Sequence, residues 1–272
     1  MAMAEPLTQT DRFSTGFALP ALSLAQREIT RFLRQRSRVI GALATPILIW
    51  IFLGSGMGRS FSVPNTEGEA GYLRYAFTGT IALIVLFTSI FASISIIEDR
   101  NEGFLQAVLV SPAWRSSIAA GKVLGASFLA FLQAAIFIGL APLVGVSLTV
   151  GSVLQTLGVL CLVALGMSGL GFVTAYRTSS IQGFHSIMNL LLFPMWLLSG
   201  ALFPMAGAST WIKIIMLANP LTYGVAALRH TLASGSSAAD PSMPSLPVAL
   251  GVTALFAVGM MAAATWTAAR SD

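Results

Sequence analysis

Charged residues are scarce in this sequence of 272 residues, where Asp, Glu, Lys and Arg together make up 9%. Soluble globular domains carry about 25%. Because 56% of the residues are hydrophobic and no long polar stretch separates the apolar runs, an ordinary soluble enzyme or binding domain is excluded. The net charge of +5 does not point to nucleic acid, since the basic residues lie between apolar runs, where they orient a membrane protein.

Residues that carry out chemistry are equally rare. The single cysteine, Cys161, excludes an internal disulfide, and the two histidines form no His-x-x-x-His pair, so we expect no metal site. Gly121-Lys122 is followed by Val123 and belongs to no phosphate-binding loop, so the chain is not expected to bind or hydrolyse ATP, or to hold any cofactor. The span interiors contain almost no ionisable group, which argues against a self-contained secondary transporter or membrane enzyme.

Long apolar runs are what the sequence has in abundance. Because about 20 helical residues cross a hydrocarbon core of about 30 Å, these runs predict an all-α polytopic membrane protein. We predict one transmembrane domain over residues 39–269, with six spans at about residues 39–58, 75–97, 123–144, 152–176, 180–203 and 246–269. An even number of spans places both termini on the same side.

The basic residues predict which side that is. With the N-terminus inside, eleven of the fifteen Lys and Arg residues fall in cytoplasmic segments. The four outer ones are Arg59, Arg74, Lys213 and Arg229. The positive-inside rule therefore predicts cytoplasmic termini.

Two segments outside the spans have distinct patterns. Residues 1–20 are predicted to be a flexible arm, and residues 21–38 an amphipathic interfacial helix, with an apolar stripe of Leu22, Ala25, Ile29, Phe32 and Leu33 beside an arginine face. This helix either anchors the topology or has a further role. Between spans five and six, short apolar pieces bounded by prolines predict re-entrant or interfacial helices, which either close a path or cap the bundle.

Acidic and basic residues crowd together at one internal place, residues 98–116. By spacing alone, this segment is either an ordinary loop or a short amphipathic helix at a membrane surface. Its order, Glu-Asp-Arg-Asn-Glu-Gly-Phe-Leu-x-x-x-Leu-Val-Ser-Pro-x-x-Arg, followed by Gly121-Lys122, resembles the cytoplasmic motif of ABC-2 type transporter permeases. The Gly-Phe-Leu version is similar to the drug- and lipid-exporter branch, which includes daunorubicin-resistance permeases. Residues 193–204 and 219–224 resemble the fifth-helix and extracellular-hairpin pattern of the same family.

The resemblance implies a role for three sets of residues. The first couples the chain to an ATPase: Glu98, Asp99, Arg100, Glu102, Gly103, Phe104, Leu105, Leu109, Ser111, Pro112, Arg115 and Lys122. The second forms an outer gate: Phe203, Pro204, Trp211, Asn219, Pro220 and Tyr223. The third comprises polar residues within the spans, which either line a substrate path or form interhelical hydrogen bonds: Gln133, Gln182, His185 and Asn189.

The resemblance also implies partners. As a permease of a bacterial inner-membrane exporter, the chain would work with two copies of a separate ABC ATPase that binds ATP and Mg²⁺. It would pair with a second permease, identical or different, among membrane lipids. The expected cargo is an amphipathic drug-like or lipid-type molecule, because tyrosine and tryptophan are few. A polysaccharide or lipo-oligosaccharide is the alternative.

Overall fold

The computed structural model describes residues 16–57, 69–104, 108, 114–232 and 242–270. Within these ranges the chain is helical and has no β-strand. The described residues form ten α-helices: α1 (Ala18–Arg34), α2 (Arg36–Met57), α3 (Glu69–Ala92), α4 (Ile94–Asn101), α5 (Arg115–Ile138), α6 (Val150–Arg177), α7 (Ile181–Trp196), α8 (Thr210–Ala218), α9 (Pro220–Leu232) and α10 (Leu246–Ala269). A 3₁₀ turn, Ala141–Val144, follows α5, and a π-helical turn, Leu197–Ala201, follows α7.

In the part of the chain that the structure describes, six helical stretches are long and apolar enough to cross a membrane: Val39–Gly56, Gly71–Asn101, Arg115–Ile138, Val150–Arg177, Ile181–Ala201 and Leu246–Ala269. The short helices α8 and α9 form a bent pair with an angle of 86° between them. The predicted all-α class with six spans is therefore confirmed. How deeply α1, α8 and α9 sit in the membrane stays a prediction.

The centre of the bundle is α3. Its residues Ile81, Ile84 and Leu86 are fully buried, and α2, α5, α6, α7 and α9 all pack against it. In the most apolar 18 residues of the stretch that contains α3, 83% are buried, against 17% in the most apolar 18 residues of α10. The large apolar surface left on α10 suits contact with lipid or another membrane helix, because such a surface would be unfavourable in water.

Glycines on α6 allow this helix to approach α3 and α10 closely. A methyl group added at Gly169 on α6 would lie 2.8 Å from Cβ of Met260 on α10, and one at Gly171 would lie 3.0 Å from Cα of Ile90 on α3. These distances are too short for a side chain. The backbones therefore meet where α6 has no side chain, as expected for helices that associate in a membrane.

Several helix ends differ from the predicted segment bounds. The helix α5 begins at Arg115, eight residues before the predicted third span, so Lys122 lies inside it. A lysine does not end this helix because acidic side chains on neighbouring helices compensate its charge. The second stretch continues to Asn101 with an interruption at Ser93.

The N-terminal helix also differs from its prediction. It begins at Ala18 and ends at Arg34, and α2 starts at Arg36; most of the predicted arm, residues 1–15, lies outside the described residues. Its buried face consists of Ala21, Leu24, Ala25, Glu28 and Phe32. Of the predicted stripe, Ala25 and Phe32 pack on the bundle, whereas Leu22 and Leu33 are exposed; the interfacial position of the helix stays a prediction. The helix α1 has one face packed against the bundle and a second, apolar face that is exposed.

Candidate functional site

Opposite charges converge where α1, α4 and α5 meet. Asp99 on α4 has no exposed surface. Arg27 on α1 donates to it from both ends of its guanidinium group, with Nη1–Oδ2 and Nη2–Oδ1 distances of 3.0 Å. Arg31, one turn later on α1, donates from Nη1 to Oδ1 of Asp99 at 3.0 Å. A fork of this kind fixes both the distance and the orientation of α1 relative to α4.

Lys122 on α5 closes the arrangement from the third helix. Its Nζ donates to Oε1 of Glu28 at 2.6 Å, to Oγ of Ser95 at 3.3 Å and to Oδ2 of Asp99. Lys122 is 4% exposed and Glu28 is 7% exposed. Because a buried charge is tolerated only when it is paired, these contacts explain how a lysine can lie inside a membrane helix. We call Arg27, Glu28, Arg31, Asp99 and Lys122 the inner ion cluster.

Backbone contact between α1 and α5 brings the cluster together. A methyl group at Gly121 would lie 2.6 Å from the carbonyl oxygen of Ala21, and one at Gly125 would lie 2.9 Å from Cβ of Glu28. Two glycines four residues apart therefore give α1 a groove on α5. This contact turns Glu28 toward Lys122.

The charges in the cluster reinforce one another. The hydrogen bond to Asp99 raises the pKa of Arg27 above its usual value, and the attraction of Asp99, Glu28 and Glu102 acts in the same direction against the cost of burial. Arg27 therefore keeps its charge throughout the physiological pH range. The contact with Asp99 is therefore made by a charged guanidinium group.

The residue after Asp99 reaches the other side of the bundle. Arg100 donates to the carbonyl oxygens of Tyr176 at 2.8 Å and Thr178 at 3.0 Å, where α6 ends. The last carbonyls of a helix have no partner within it and carry partial negative charge, so an arginine stabilises them. Two adjacent residues of α4 thus bind elements on opposite sides: Asp99 binds α1 and α5, and Arg100 binds the end of α6.

The predicted coupling residues continue from this point. Glu98 pairs with Arg31 at 3.0 Å, and the exposed Glu102 lies 3.6 Å from the same arginine. Gly103 has a φ of 76°, which favours glycine and turns the chain away from α4. Phe104 then lies under Arg27, whose Cζ is 3.7 Å from the ring centroid.

The remaining coupling residues divide into two groups. Arg115, at the start of α5, is exposed. Leu105, Leu109, Ser111 and Pro112 lie outside the described residues.

Two of the predicted coupling residues, Asp99 and Lys122, are buried, so in this state they act within the chain rather than on a partner's surface. The coupling role itself stays a prediction.

Sequence reasoning missed the partners of Asp99 on α1. Arg27 and Arg31 were assigned to a basic face, and Glu28 was not singled out. A signal for Glu28 was present, because it is the only acidic residue in α1 and lies one turn from Ala25 and Phe32 on the same face. An acidic residue in the middle of an apolar face predicts a buried basic partner.

The predicted polar residues of the spans lie on two helices, Gln133 on α5 and the other three on α7. Gln133 is 4% exposed and accepts a hydrogen bond from Thr88 at 2.8 Å, between α5 and α3. On α7, Gln182 and Asn189 are exposed, while His185 has its ring 5.3 Å from that of Phe91. Among the described residues no three His, Cys, Asp or Glu side chains form a metal-binding group; that the chain holds no metal or cofactor stays a prediction.

The predicted outer gate residues surround the bend between α8 and α9. Asn219 donates from Nδ2 to the carbonyl oxygen of Met195 at 2.6 Å, and its Oδ1 accepts from the backbone of Leu221 at 3.0 Å. Pro220 is the first residue of α9, and the Tyr223 hydroxyl donates to the carbonyl oxygen of Leu217. Trp211 is exposed, and Phe203 and Pro204 are half-buried in the turn before α8.

Comparison with known proteins identifies the family of this chain. The sequence profile of the ABC-2 type transporter family matches residues 21–233. The "Probable doxorubicin resistance ABC transporter permease protein DrrC" of Mycobacterium tuberculosis is 24% identical over 249 residues, 89% of this chain and 87% of that protein. The ycf38 protein of Cyanophora paradoxa is 26% identical over 216 residues, 78% of this chain and 74% of its own. Nodulation protein J of Rhizobium leguminosarum bv. viciae is 27% identical over 196 residues, 71% of this chain and 74% of its own. The chain is therefore an integral membrane permease that belongs to the ABC-2 type transporter family.

Proposed function

We propose that this permease is the non-catalytic membrane half of an ATP-driven exporter of amphipathic, drug-like or lipid-type molecules. Two permease chains, identical or different, form the path, and two separate ATPase subunits bind Mg²⁺ and ATP below them. The segment of residues 98–116 docks on the ATPase in the cytoplasm. Closure of the ATPase pair on ATP moves this segment, and the spans shift between an inward-open and an outward-open state.

The observation that carries the proposal is the pair of adjacent contacts made by Asp99 and Arg100. Asp99 binds Arg27 of α1 and Lys122 of α5, and Arg100 binds the last carbonyls of α6. A push on the segment that follows α4 would therefore reach three other helices at once. An ordinary surface loop has no need of such attachments, because its charges are satisfied by water.

The distribution of basic residues supports a cytoplasmic position for this segment. Lys122 and Arg229 are buried, so they do not count as loop charges. Omitting them leaves ten basic residues on the proposed inner side and three on the outer side, from eleven and four. The bias is as strong as before, and under the positive-inside rule it supports the proposal that both termini face the cytoplasm. The membrane in this proposal is a bacterial inner membrane.

Two observations support the proposed class of cargo. A relative that covers most of the chain carries doxorubicin resistance in its name. The helix α7, on which the apolar Leu190 and Phe193 and the polar Gln182 and Asn189 are all exposed, suits a molecule with both polar and apolar parts.

Isolation of the chain from its native membrane tests the proposal. We expect a Walker-motif ATPase to accompany it, and the complex in vesicles to take up amphipathic dyes with ATP. Glu102→Ala and Phe104→Asp should reduce ATP-dependent uptake at least about tenfold while the protein stays inserted. Lys213→Ala, which removes one charge from the outer segment, is the matched control and should leave uptake unchanged.

Three results would contradict the proposal. Transport by the chain alone would indicate a self-contained carrier. Normal uptake by both coupling variants would refute the docking assignment. Uptake of oligosaccharides in preference to dyes would refute the cargo class and favour polysaccharide export.

A further inference from the structure

The outer end of α7 is broken in a way that leaves backbone carbonyls without helical partners. In the π-helical turn Leu197–Ala201, Leu198 has φ −93° and ψ 19°, and Gly200 has φ 78° and ψ 10°. Carbonyl groups inside a membrane protein need donors from the protein itself, because lipid offers none. The side chains that supply these donors therefore decide where the turn is held.

Arg229 of α9 is the main donor. It is 6% exposed, and its Nη2 donates to the carbonyl oxygen of Gly200 at 2.7 Å and to that of Ala201 at 3.5 Å. Its Cζ lies 3.5 Å from the ring centroid of Tyr75 on α3. The Tyr75 hydroxyl donates to the same carbonyl oxygen of Gly200 at 2.9 Å. We call Tyr75, Gly200 and Arg229 the outer latch.

The latch joins three elements at one carbonyl. A cation stacked on an aromatic ring is strongly held when both are away from water, and a guanidinium group donates well to carbonyl oxygens. The turn also lies directly on α3, since a methyl group at Gly79 would lie 2.3 Å from the carbonyl oxygen of Ala201. Trp196 donates from Nε1 to the carbonyl oxygen of Gly79 at 2.9 Å.

The same turn is attached to the bend between α8 and α9. Asn219 binds the carbonyl oxygen of Met195, and Thr222 donates to that of Leu198 at 3.4 Å. The end of α7 and the start of α9 are therefore joined. Tyr75 and Arg229, together with Trp196, hold this unit against α3. Asn219 alone would not give that contact, because it reaches only α7.

We propose that Arg229 is a positioning residue that, through Tyr75 and Gly200, holds the α8–α9 pair and the end of α7 in the closed position. The inference rests on the proposed function, in which the chain reaches an outward-open state, and on the predicted role of the α8–α9 region as the outer gate. Opening requires the guanidinium group to leave the Tyr75 ring and release the Gly200 carbonyl. Weakening the latch therefore favours the outward-open state without any change at the ATPase.

The test measures access to the gate from outside. In a Cys161→Ala background, Phe203→Cys provides a reporter in the turn between α7 and α8, and intact cells are treated with a membrane-impermeant methanethiosulfonate. We expect Arg229→Gln and Tyr75→Leu each to raise the rate of modification about tenfold. Tyr75→Phe, which keeps the ring, should give a smaller rise, and Arg229→Lys should restore part of the slow rate. The double variant should be no faster than the faster single variant, because the two residues act as one unit.

Two controls separate a latch from general loosening. Lys213→Gln removes a cation from α8 and should not change the rate. A second reporter on the inner side, Ser116→Cys at the start of α5, should keep its reactivity in inverted vesicles. If Arg229→Gln fails to insert, Tyr75→Leu and Tyr75→Phe carry the test.

Unchanged Phe203→Cys rates in the inserted variants would overturn the latch, as would equal rises at both reporters or in Lys213→Gln. The measurement needs neither ATP nor a known cargo, so the latch stands or falls independently of the partner ATPase. If latch variants open the outer side but the isolated complex contains no ATPase, the latch is retained and the proposed function fails.

Discussion

The ammonium group of Lys122 lies 2.6 Å from a carboxylate oxygen of Glu28, which is 94 residues earlier in the chain. Both side chains are buried, and the contact joins α5 to α1. It places a full positive charge inside a helix long and apolar enough to cross the membrane. Such a charge marks a function or a structural anchor in a membrane protein, and here its acidic partners are Glu28 of α1 and Asp99 of the coupling segment itself.

Removal of this charge should be costly. We expect Lys122→Met to destabilise the permease by about 3–5 kcal/mol, because Glu28 and Asp99 stay buried and lose a cation. Glu28→Gln combined with Lys122→Met should recover part of this loss, since fewer buried charges then lack a partner. Thermal unfolding in detergent micelles measures the stability of Lys122→Met, Glu28→Gln and the double variant. Simple addition of the two single effects would contradict the assigned contact.

Close contact between α1 and α5 gives a second prediction. Gly125→Ala should destabilise the protein by about 1–3 kcal/mol, because the new methyl group would overlap Cβ of Glu28 and push α1 away. Gly158→Ala on α6 is the matched control, since a methyl group there meets nothing within 4 Å. The control should be neutral or stabilising by up to about 1 kcal/mol through helix propensity. Equal effects at both positions would show that packing against α1 is not the cause.

Arg100 should protect the end of α6. In Arg100→Gln we expect faster hydrogen exchange of backbone amides in residues 173–178, because the last carbonyls of the helix lose their donor and the final turn opens more often. Exchange followed by mass spectrometry measures this segment against the middle of α6. Arg270→Gln, which removes a cation stacked on Trp266 instead, should leave the segment unchanged. An unchanged rate in Arg100→Gln would show that water replaces the arginine at no cost.

Arg31 gives a prediction for coupling under the proposed function. It contacts Glu98, Asp99 and Glu102 together, so Arg31→Gln should loosen α1 from the coupling segment. We expect the ratio of dye uptake to ATP hydrolysis in reconstituted vesicles to fall several-fold while hydrolysis continues. Arg34→Gln, an exposed arginine three residues later on α1, is the control. A loss of the same size in both variants would indicate a general effect of basic charge on α1.

Apolar runs predicted the six spans because the length and hydropathy of a run are local properties, and a bilayer imposes a length requirement that can be read from them. The charged segment near Glu98 was found for the same reason, since its charges interrupt those runs. The predicted first and last residues of the spans were less accurate than their number. The predicted third span begins just after Lys122, because a lysine is expected to lie outside a span. The helix α5 instead runs through Lys122, because the acidic partners of this lysine come from other helices.

The sequence alone determined that this protein is a helical membrane bundle, and it identified the segment between the second and third spans as the place where charges collect. Only the tertiary structure decided which charges pair. Arg27 meets Asp99 across 72 residues, and Arg229, which looked like a charge on an outer loop, is buried on the ring of Tyr75. The reason is physical: hydropathy belongs to a stretch of chain, whereas an ion pair or a stacked cation depends on a distance of a few ångströms between helices, which is fixed only when they pack.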